Sequence, residues 1–427
     1  MEVLMIHAWN KKEMSYRSHF STMLSYPSLT LPTLVSLVPE DIGACVDVCD
    51  EISQKVSYDK KRYDVVVVSF DTSSSYQAYE HAARFKERGA YILFGGYHTS
   101  SMPQEALEHA DSIIIGAGEL SLPQFFYDFA EGAPKQIYDN QDVEPCQFRI
   151  PARNAVKKSK YLKIPALIAD RGCNNRCKFC AISKMWRSNP RPVADVIAEI
   201  KGLRSRTVIF FDPNFFGKKE YALELMGEME KLNIKWATNA TADFAYDDEL
   251  LEAAARSGCK GVLVGLESVS SKSLKGVGKR FSDVDRYREV VERIHHYHLT
   301  VNGCFVLGFD SDTEEELLSI PEKVRYLRLD LTRFAILTPL PGSILYREFE
   351  QQNRIITTDW SKYNQHYAVF QPVHMSPQRL EEIYRQIWKK TYSWKNVMGR
   401  VGRCASKDLQ VRMTLLGANI GFKYLDL

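Results

Sequence analysis

Three cysteines lie within eight residues of this sequence, at Cys173, Cys177 and Cys180, in the stretch RGCNNRCKFCAIS. Thiolates are soft ligands that select zinc or iron–sulfur clusters, and one loop that carries three of them can direct all three at one metal centre. The loop follows an apolar run, LKIPALIAD, which has the composition of a strand. The spacing therefore predicts a metal centre at the end of a strand.

The number of cysteines distinguishes two kinds of metal centre. A structural zinc needs four closed ligands, usually as two separated pairs, and the loop has no partnering CxxC or HxxxH pair. An iron–sulfur cluster that is held by three thiolates leaves one iron open for a substrate or a cofactor. We therefore favour a [4Fe–4S] cluster, and a structural zinc or coincidental thiols are the alternative.

Short apolar runs alternate with helical patterns from residue 161 to residue 345. About six such units predict an incomplete β/α barrel, whose sites gather at the carboxyl ends of the strands. Several runs end in a polar side chain or a glycine, as a binding site there would require. These residues are Asp212, Asn214, Asn239, Glu267 and Gly308.

The first 135 residues alternate in the same way, and the run YDVVVVSF at 63–70 is apolar enough for a strand that is buried on both faces. The alternation predicts an α/β, doubly wound, Rossmann-like domain with its ligand site at the carboxyl ends of the strands. Loops rich in glycines and hydroxyl groups follow three of these strands. Their candidate residues are Ser69, Thr72, Ser73, Gly95, Gly96, His98, Gly116, Gly118 and Glu119.

Two further segments complete the predicted domain organisation. Residues 136–160 are polar, contain prolines and lack periodicity, which predicts a connector between the domain at 1–135 and the barrel at 161–345. Residues 346–427 contain aromatic and helical patterns without a strand pattern, and we expect a small, mainly helical region there.

The composition excludes several classes of protein. The net charge of +3 over 427 residues provides no clustered basic surface for nucleic acid. No uninterrupted apolar run approaches eighteen residues, and the N-terminal MEVLMIHAWN lacks the pattern of a secretory signal. Nine cysteines, scattered except for one cluster, argue against a disulfide framework. We expect a cytoplasmic protein without nucleic-acid or membrane partners.

The pattern Cys173-x3-Cys177-x2-Cys180, with Phe179 directly before the last cysteine, resembles the signature of the radical S-adenosylmethionine (SAM) superfamily. The resemblance implies that the open iron binds the methionine amine and carboxylate of SAM, and that the reduced cluster cleaves SAM to a 5′-deoxyadenosyl radical. It also implies SAM-binding roles for Phe179 and for the five residues at the barrel strand ends. Strand capping or turn formation is the alternative for any one of them.

A doubly wound domain in front of such a barrel is similar to the cobalamin-binding subclass of this superfamily. The resemblance implies that the nine candidate residues of the first domain surround the corrin ring and the nucleotide tail of cobalamin. The DxHxxG motif of histidine-ligating cobalamin domains is absent, because Met5 and Asn10 occupy its Asp and Gly positions around His7. A Rossmann-like domain that has lost cobalamin is the alternative.

The resemblance implies a cobalamin-dependent C-methyltransferase that acts on an unactivated carbon of a small metabolite and receives electrons from a flavodoxin or ferredoxin. Tyr363 and His366, in the C-terminal stretch DWSKYNQHYAVF, are candidate substrate contacts, with helix packing as the alternative. A radical SAM dehydratase, epimerase, cyclase or ring-rearranging enzyme without methyl transfer is the first rival function. A non-catalytic metal-binding scaffold is the second.

Overall fold

The computed structural model describes residues 1–10, 26–141, 148–156, 161–279 and 282–425, and the statements below refer to these residues. Two six-stranded parallel sheets form its centre, one in each half of the chain. The expected α/β class, with an N-terminal doubly wound domain, an incomplete barrel and a helical C-terminal region, is confirmed. Part of the predicted connector, at 142–147 and 157–160, lies outside the described residues.

The first sheet has the strand order β2-β1-β3-β4-β5-β6, and all its neighbours are parallel. Its central strand is buried on both sides, since Val65 and Val67 pack into one apolar cluster and Val66 and Val68 into another. The six strands are β1 (Glu2–His7), β2 (Cys45–Asp50), β3 (Val65–Ser69), β4 (Tyr91–Gly95), β5 (Ser112–Ile115) and β6 (Ile137–Asp139).

Helices cover both faces of this sheet, so its carboxyl edge is the free side on which a ligand can bind. In the order 2-1-3 the strands β2 and β3 lie on opposite sides of β1, and such switch points form crevices at that edge. The helices are α1 (Thr30–Ser36), α2 (Ser75–Lys86), α3 (Tyr97–Ser101), α4 (Pro103–His109) and α5 (Gly118–Ala130).

Two strands of the first sheet were not predicted from the sequence. Strand β2 has the sequence CVDVCD, in which aspartates interrupt the apolar run. Strand β6 pairs with β5 and extends the sheet to Asp139, beyond the predicted boundary at residue 135. The other proposed boundaries, at 160 and 345, stay predictions.

The second sheet has the order β14-β13-β12-β11-β10-β7 and is parallel throughout. A short antiparallel pair, β8 with β9, accompanies it. Its strands are β7 (Ala166–Leu167), β10 (Thr207–Phe210), β11 (Lys235–Ala240), β12 (Cys259–Glu267), β13 (Thr300–Leu307) and β14 (Leu331–Ile336), and the pair comprises β8 (Asp170–Arg171) and β9 (Asn189–Pro190).

The helices of the second half cover one face of this sheet. Alternate residues such as Val262, Val264 and Leu266 pack against them in a large apolar core, and the residues between them face the barrel interior. These helices are α6 (Ile182–Met185), α7 (Val193–Gly202), α8 (Lys219–Glu230), α9 (Asp248–Arg256), α10 (Ser271–Gly276), α11 (Tyr287–His296) and α12 (Glu314–Tyr326).

The C-terminal region contains the helices α13 (Ile344–Gln351), α14 (Pro377–Thr391), α15 (Trp394–Gly402) and α16 (Leu409–Lys423). In its described part the only β contact outside the named strands is an isolated bridge between Ile355 and Phe370. Across the described residues, no helix combines the length and the apolar character that crossing a membrane requires.

The C-terminal region also connects the two sheets. The Trp360 indole donates to Glu105 Oε1 at 2.9 Å, and the Asn10 amide donates to the Ser361 carbonyl at 3.0 Å. The Tyr97 hydroxyl donates to the carbonyl of Pro341, just beyond β14, at 2.7 Å. Because Asn10 and Tyr97 follow β1 and β4, these bonds bring the carboxyl edge of the first sheet against the mouth of the barrel.

Candidate active site

The cysteine loop is held in place by backbone hydrogen bonds to three separate segments. The Cys173 amide donates to Trp186 O at 3.2 Å, the Lys178 amide donates to Val277 O at 3.1 Å, and the Lys178 carbonyl accepts from Leu345 N at 3.0 Å. Gly172 has φ +90°, and a Cβ there would lie 2.2 Å from Arg187 O, so only glycine fits. The loop is therefore a rigid support for its thiols.

The three thiols share one partly buried environment at the barrel mouth. Cys177 is buried, and Cys173 and Cys180 are half-buried. Burial raises the pKa of Cys177 to about 11, and the positive charge of Lys279 opposes this shift. The charge of Cys180 affects the pKa of both other thiols, which places the three sulfurs close together.

This arrangement fits an iron–sulfur cluster better than a single ion. Throughout the described ranges, no three His, Cys, Asp or Glu side chains converge as ligands of one metal ion. A mononuclear zinc needs such convergence, whereas the thiolates around a [4Fe–4S] cluster bind separate iron atoms. We interpret Cys173, Cys177 and Cys180 as the residues that hold such a cluster.

Next to the cysteine loop, Glu267 forms a buried ion pair with Lys279. Lys279 Nζ lies 2.6 Å from Glu267 Oε1 and 2.7 Å from Gly265 O, and Lys279 is only 4% exposed. Glu267 ends β12 with φ +64°, a strained conformation for a non-glycine residue. Glu267 was predicted as a site residue from the sequence, but Lys279 was not. The sequence KGVGKR does not show that the side chain of this lysine is buried.

Asp212 makes hydrogen bonds within the protein at the barrel mouth, and its contact with SAM stays a prediction. Its two carboxylate oxygens accept from Ala169 N and Asp170 N, both at 2.8 Å, and the side chain is 1% exposed. Burial raises the pKa of Asp212 to about 7, although both hydrogen bonds oppose the shift. The carboxyl group therefore ties the end of β10 to the segment that precedes the cysteine loop.

Asn214 and Asn239 lie beside Asp212 at the carboxyl ends of β10 and β11. Asn239 Nδ2 donates to Asp212 O at 2.9 Å, and Asn214 Oδ1 accepts from Thr241 N at 3.4 Å. Both residues are half-buried. The structure brings these two amides together at the barrel mouth, and their contact with SAM stays a prediction.

Gly308 forms the turn after β13, which Asp312 stabilises. Asp312 Oδ2 accepts from Gly308 N at 2.9 Å and from Phe309 N at 3.0 Å. The ring of Phe309 lies 5.8 Å from that of Phe179, so this turn adjoins the cysteine loop. Asp312 was not predicted from the sequence, although an aspartate four residues after the turn glycine is a signal for such capping.

Replacing Gly308 by alanine is expected to destabilise the fold by roughly 2–4 kcal/mol. Its φ is +101°, and a Cβ there would lie 2.7 Å from Leu380 Cδ2 of α14. Gly276 at the end of α10 has an ordinary φ and no atom within 4 Å of an added Cβ, so Gly276→Ala is the matched control. Urea unfolding of both variants measures the difference, and equal midpoints would contradict this account.

The glycines predicted for the first domain meet at the carboxyl edge of its sheet. Ser69 pairs with Gly95 at the ends of β3 and β4. Gly96 has φ +107°, and an added Cβ would lie 2.4 Å from Phe70 O; Gly116 has φ +84°. Gly118 is the first residue of α5. The glycines at 96 and 116 allow close packing of backbone segments at this edge, and their contact with cobalamin stays a prediction.

The other candidate residues of this domain have partners within the protein, and their assignment to cobalamin stays a prediction. His98 is fully buried, with Nδ1 3.3 Å from Thr72 Oγ1 and Nε2 3.2 Å from the Tyr79 hydroxyl. The Ser73 hydroxyl donates to Asp71 at 3.0 Å. Glu119 forms an ion pair with Arg171 of β8. A hydrogen bond within the protein satisfies a buried polar group, and the sequence alone cannot distinguish such a group from a ligand contact.

The two candidate substrate residues do not line the barrel interior. Tyr363 is 2% exposed, and its hydroxyl donates to Thr357 O at 2.7 Å within the C-terminal region. His366 is exposed, with Nδ1 2.7 Å from the Tyr384 hydroxyl of α14. These contacts agree with packing within the C-terminal region, and the substrate role of both residues stays a prediction.

Known proteins match the part of the chain that contains this site. Residues 168–324, which contain the cysteine loop, match the Radical SAM superfamily. The chain is 26% identical over 401 residues to the bacteriochlorophyllide d C-12(1)-methyltransferase of Chlorobaculum tepidum, a match that covers 90% of this chain and 88% of that protein. It is 27% identical over 394 residues to the C-8(2)-methyltransferase of the same organism, with 87% of each chain covered.

The overall fold is similar to that of TsrM, a radical S-adenosylmethionine methyltransferase from Kitasatospora setae, whose structure was solved with cobalamin and a [4Fe-4S] cluster bound. The TM-score is 0.66 at 16% identity, and the likeness covers 90% of this chain and 81% of that chain. Because the likeness covers 90% of this chain, it includes both sheets.

Proposed function

Since residues 168–324 make this chain a member of the radical SAM superfamily, we propose that it is a cobalamin-dependent C-methyltransferase acting on an unactivated carbon of a small molecule. One observation carries the proposal: two C-methyltransferases match this chain over both of its sheets and not only over the barrel. A radical SAM barrel alone is compatible with many reactions.

The barrel residues would hold the cluster and SAM. Cys173, Cys177 and Cys180 supply thiolates, and Glu267 together with the two amides at the ends of β10 and β11 offers polar groups for the amino acid or ribose of SAM. A reduced cluster with SAM bound supplies a carbon-centred radical. The loop anchors and the ion pair with Lys279 hold these groups in fixed positions before SAM arrives, so that little ordering is needed on binding.

The first domain would hold cobalamin, which supplies a transferable methyl group when bound. Ser69, Gly95, Gly96, Gly116 and Gly118 form an edge where a ligand can approach the backbone closely, as at the switch point of other doubly wound sheets. The bonds from Trp360, Asn10 and Tyr97 hold this edge against the barrel mouth. A substrate between the two sheets would thus lie next to both cofactors and away from water.

The reaction also needs an electron source and a reducing environment. We propose a flavodoxin or ferredoxin as the donor, because the cluster must be reduced before SAM is cleaved. We propose the cytosol as the compartment, since all eight cysteines in the described part of the chain are free.

Anaerobic reconstitution tests this function. We expect protein reconstituted with iron and sulfide to retain about one equivalent of hydroxocobalamin through gel filtration. After reduction with dithionite, we expect it to convert SAM to both 5′-deoxyadenosine and S-adenosylhomocysteine, the latter only when cobalamin is present. Formation of 5′-deoxyadenosine by protein that retains no cobalamin would instead support a radical SAM enzyme without methyl transfer. A cluster-loaded protein that cleaves no SAM would contradict both enzyme assignments.

A further inference from the structure

The barrel interior has a cationic side chain that the proposed function does not yet use. Arg333, on the edge strand β14, is exposed although both residues before it and the one after it are buried. It pairs in register with Cys304 of β13, and Cys304 pairs with Gly265 of β12. Gly265 adjoins the Glu267–Lys279 ion pair. Arg333, Cys304 and Gly265 thus form a row across three strands. Since neighbouring strands are about 4.8 Å apart, Arg333 lies about 10 Å from Gly265.

The charge of Arg333 is not balanced by a neighbouring carboxylate. In the described ranges, no Asp or Glu lies within 4.0 Å of its guanidinium, which instead stands 5.4 Å from the ring centroid of Phe422. Burial raises the pKa of the adjacent Cys304 thiol to about 12, so that group is neutral. Lys279, the cation that lies next to Gly265, is neutralised by Glu267. Arg333 therefore gives this part of the interior an uncompensated positive charge.

Aromatic and aliphatic side chains surround this charge. Burial raises the pKa of the Tyr26 hydroxyl, and the positive charge of Arg333 opposes the shift, which places the two side chains near each other. The Tyr26 ring contacts Phe211, 38% exposed at the end of β10, with centroids 5.7 Å apart. Aliphatic residues line the same face of the sheet and are half-buried, which indicates open space: Ile209, Ala237, Leu263 and Ala335.

We propose that this part of the barrel interior binds an apolar substrate that carries one carboxylate, and that Arg333 pairs with that carboxylate. The inference rests on the proposed function, because it assigns the substrate class of the same site. A guanidinium in apolar surroundings favours a planar, bidentate anion. The apolar walls select a hydrophobic body.

Binding of two matched probes tests the proposal. Pheophorbide a has a free propionate on an apolar macrocycle, and its methyl ester differs only in masking that carboxylate. Binding is measured by equilibrium dialysis against anaerobic enzyme that contains the cluster, cobalamin and SAM. The acid should bind at least about tenfold more tightly than the ester, because a charged hydrogen bond contributes that much. Equal binding of acid and ester, or no saturable binding of either, would overturn the proposal, and neither result needs a variant.

Two variants assign the effect to the side chain. Arg333→Gln should bind the acid as weakly as the wild type binds the ester, and Arg333→Lys should recover part of the difference. Arg325→Gln removes an equal charge from an exposed position on α12, outside the barrel, and should bind both probes as the wild type does. An Arg333→Gln enzyme that still prefers the acid would also overturn the proposal.

Cofactor measurements separate this inference from the proposed function. Retention of cobalamin and binding of SAM are measured without a probe, and they report on the cofactors alone. If Arg333→Gln weakens SAM binding or cobalamin retention, Arg333 pairs with the SAM carboxylate or the cobalamin phosphate and the inference fails. If the wild type retains no cobalamin and yet prefers the acid, the methyltransferase assignment fails and the substrate class stands.

Discussion

Cys177→Ala is expected to lose the iron–sulfur cluster and to lower 5′-deoxyadenosine formation to the background of cluster-free protein. Cys177 is the most buried of the three thiols, and its neighbours Cys173 and Cys180 are too few to hold the cluster alone. Iron content and the visible absorbance of the reconstituted protein measure the cluster, and chromatography measures 5′-deoxyadenosine. The same result is expected for Cys173→Ala and Cys180→Ala.

Cys259→Ala is the matched control for this experiment. Cys259 is also a buried cysteine of the barrel, but it begins β12 and its thiol donates to Gly261 O at 3.6 Å, away from the cysteine loop. The variant loses a small amount of packing, worth about 1 kcal/mol, and should retain both the cluster and SAM cleavage. A Cys177→Ala protein with full iron content, or a Cys259→Ala protein without iron, would contradict the assignment of ligands.

The sequence was sufficient to predict most of the fold, because strands of parallel sheets are apolar throughout. Runs such as Val65–Val68 can be buried on both faces only in such a sheet. The pattern failed at β2, since Asp47 and Asp50 interrupt its apolar run. Asp50 is buried at the end of that strand. Its carboxylate accepts a hydrogen bond from the Tyr161 hydroxyl at 2.6 Å, a tertiary contact that stabilises the buried group.

The site was predicted where the chemistry is local in sequence and missed where it depends on tertiary contacts. The spacing of the three cysteines alone indicated their role. Polar residues at strand ends were ambiguous, and only the structure shows the hydrogen bonds of Asp212 and His98 to distant segments. In the sequence Arg333 looks like an ordinary exposed residue of a strand, and only its register with Cys304 and Gly265 places it on the interior face of the sheet.

Lys279→Met is expected to destabilise the protein by about 3–5 kcal/mol, because it leaves the Glu267 carboxylate buried without its cation. The side chains of Lys279 and Glu267 are 5% and 13% exposed, so water can replace only part of the lost interaction. We also expect weaker SAM binding, since the ion pair fixes Glu267 at the barrel mouth. Urea unfolding and equilibrium dialysis of SAM against cluster-loaded protein measure the two effects.

The double variant Lys279→Met/Glu267→Gln distinguishes loss of an ion pair from loss of packing. Removal of both charges leaves no buried unpaired ion, so the double variant should be more stable than Lys279→Met alone, although it removes one more native group. SAM binding should stay weak in both variants, because the carboxylate is either unpaired or absent. Lys275→Met removes the same charge from an exposed position four residues earlier and should change stability by less than about 0.5 kcal/mol. A double variant that is less stable than Lys279→Met would mean that Lys279 acts through packing. The turn that ends β12, and not the ion pair, would then orient Glu267.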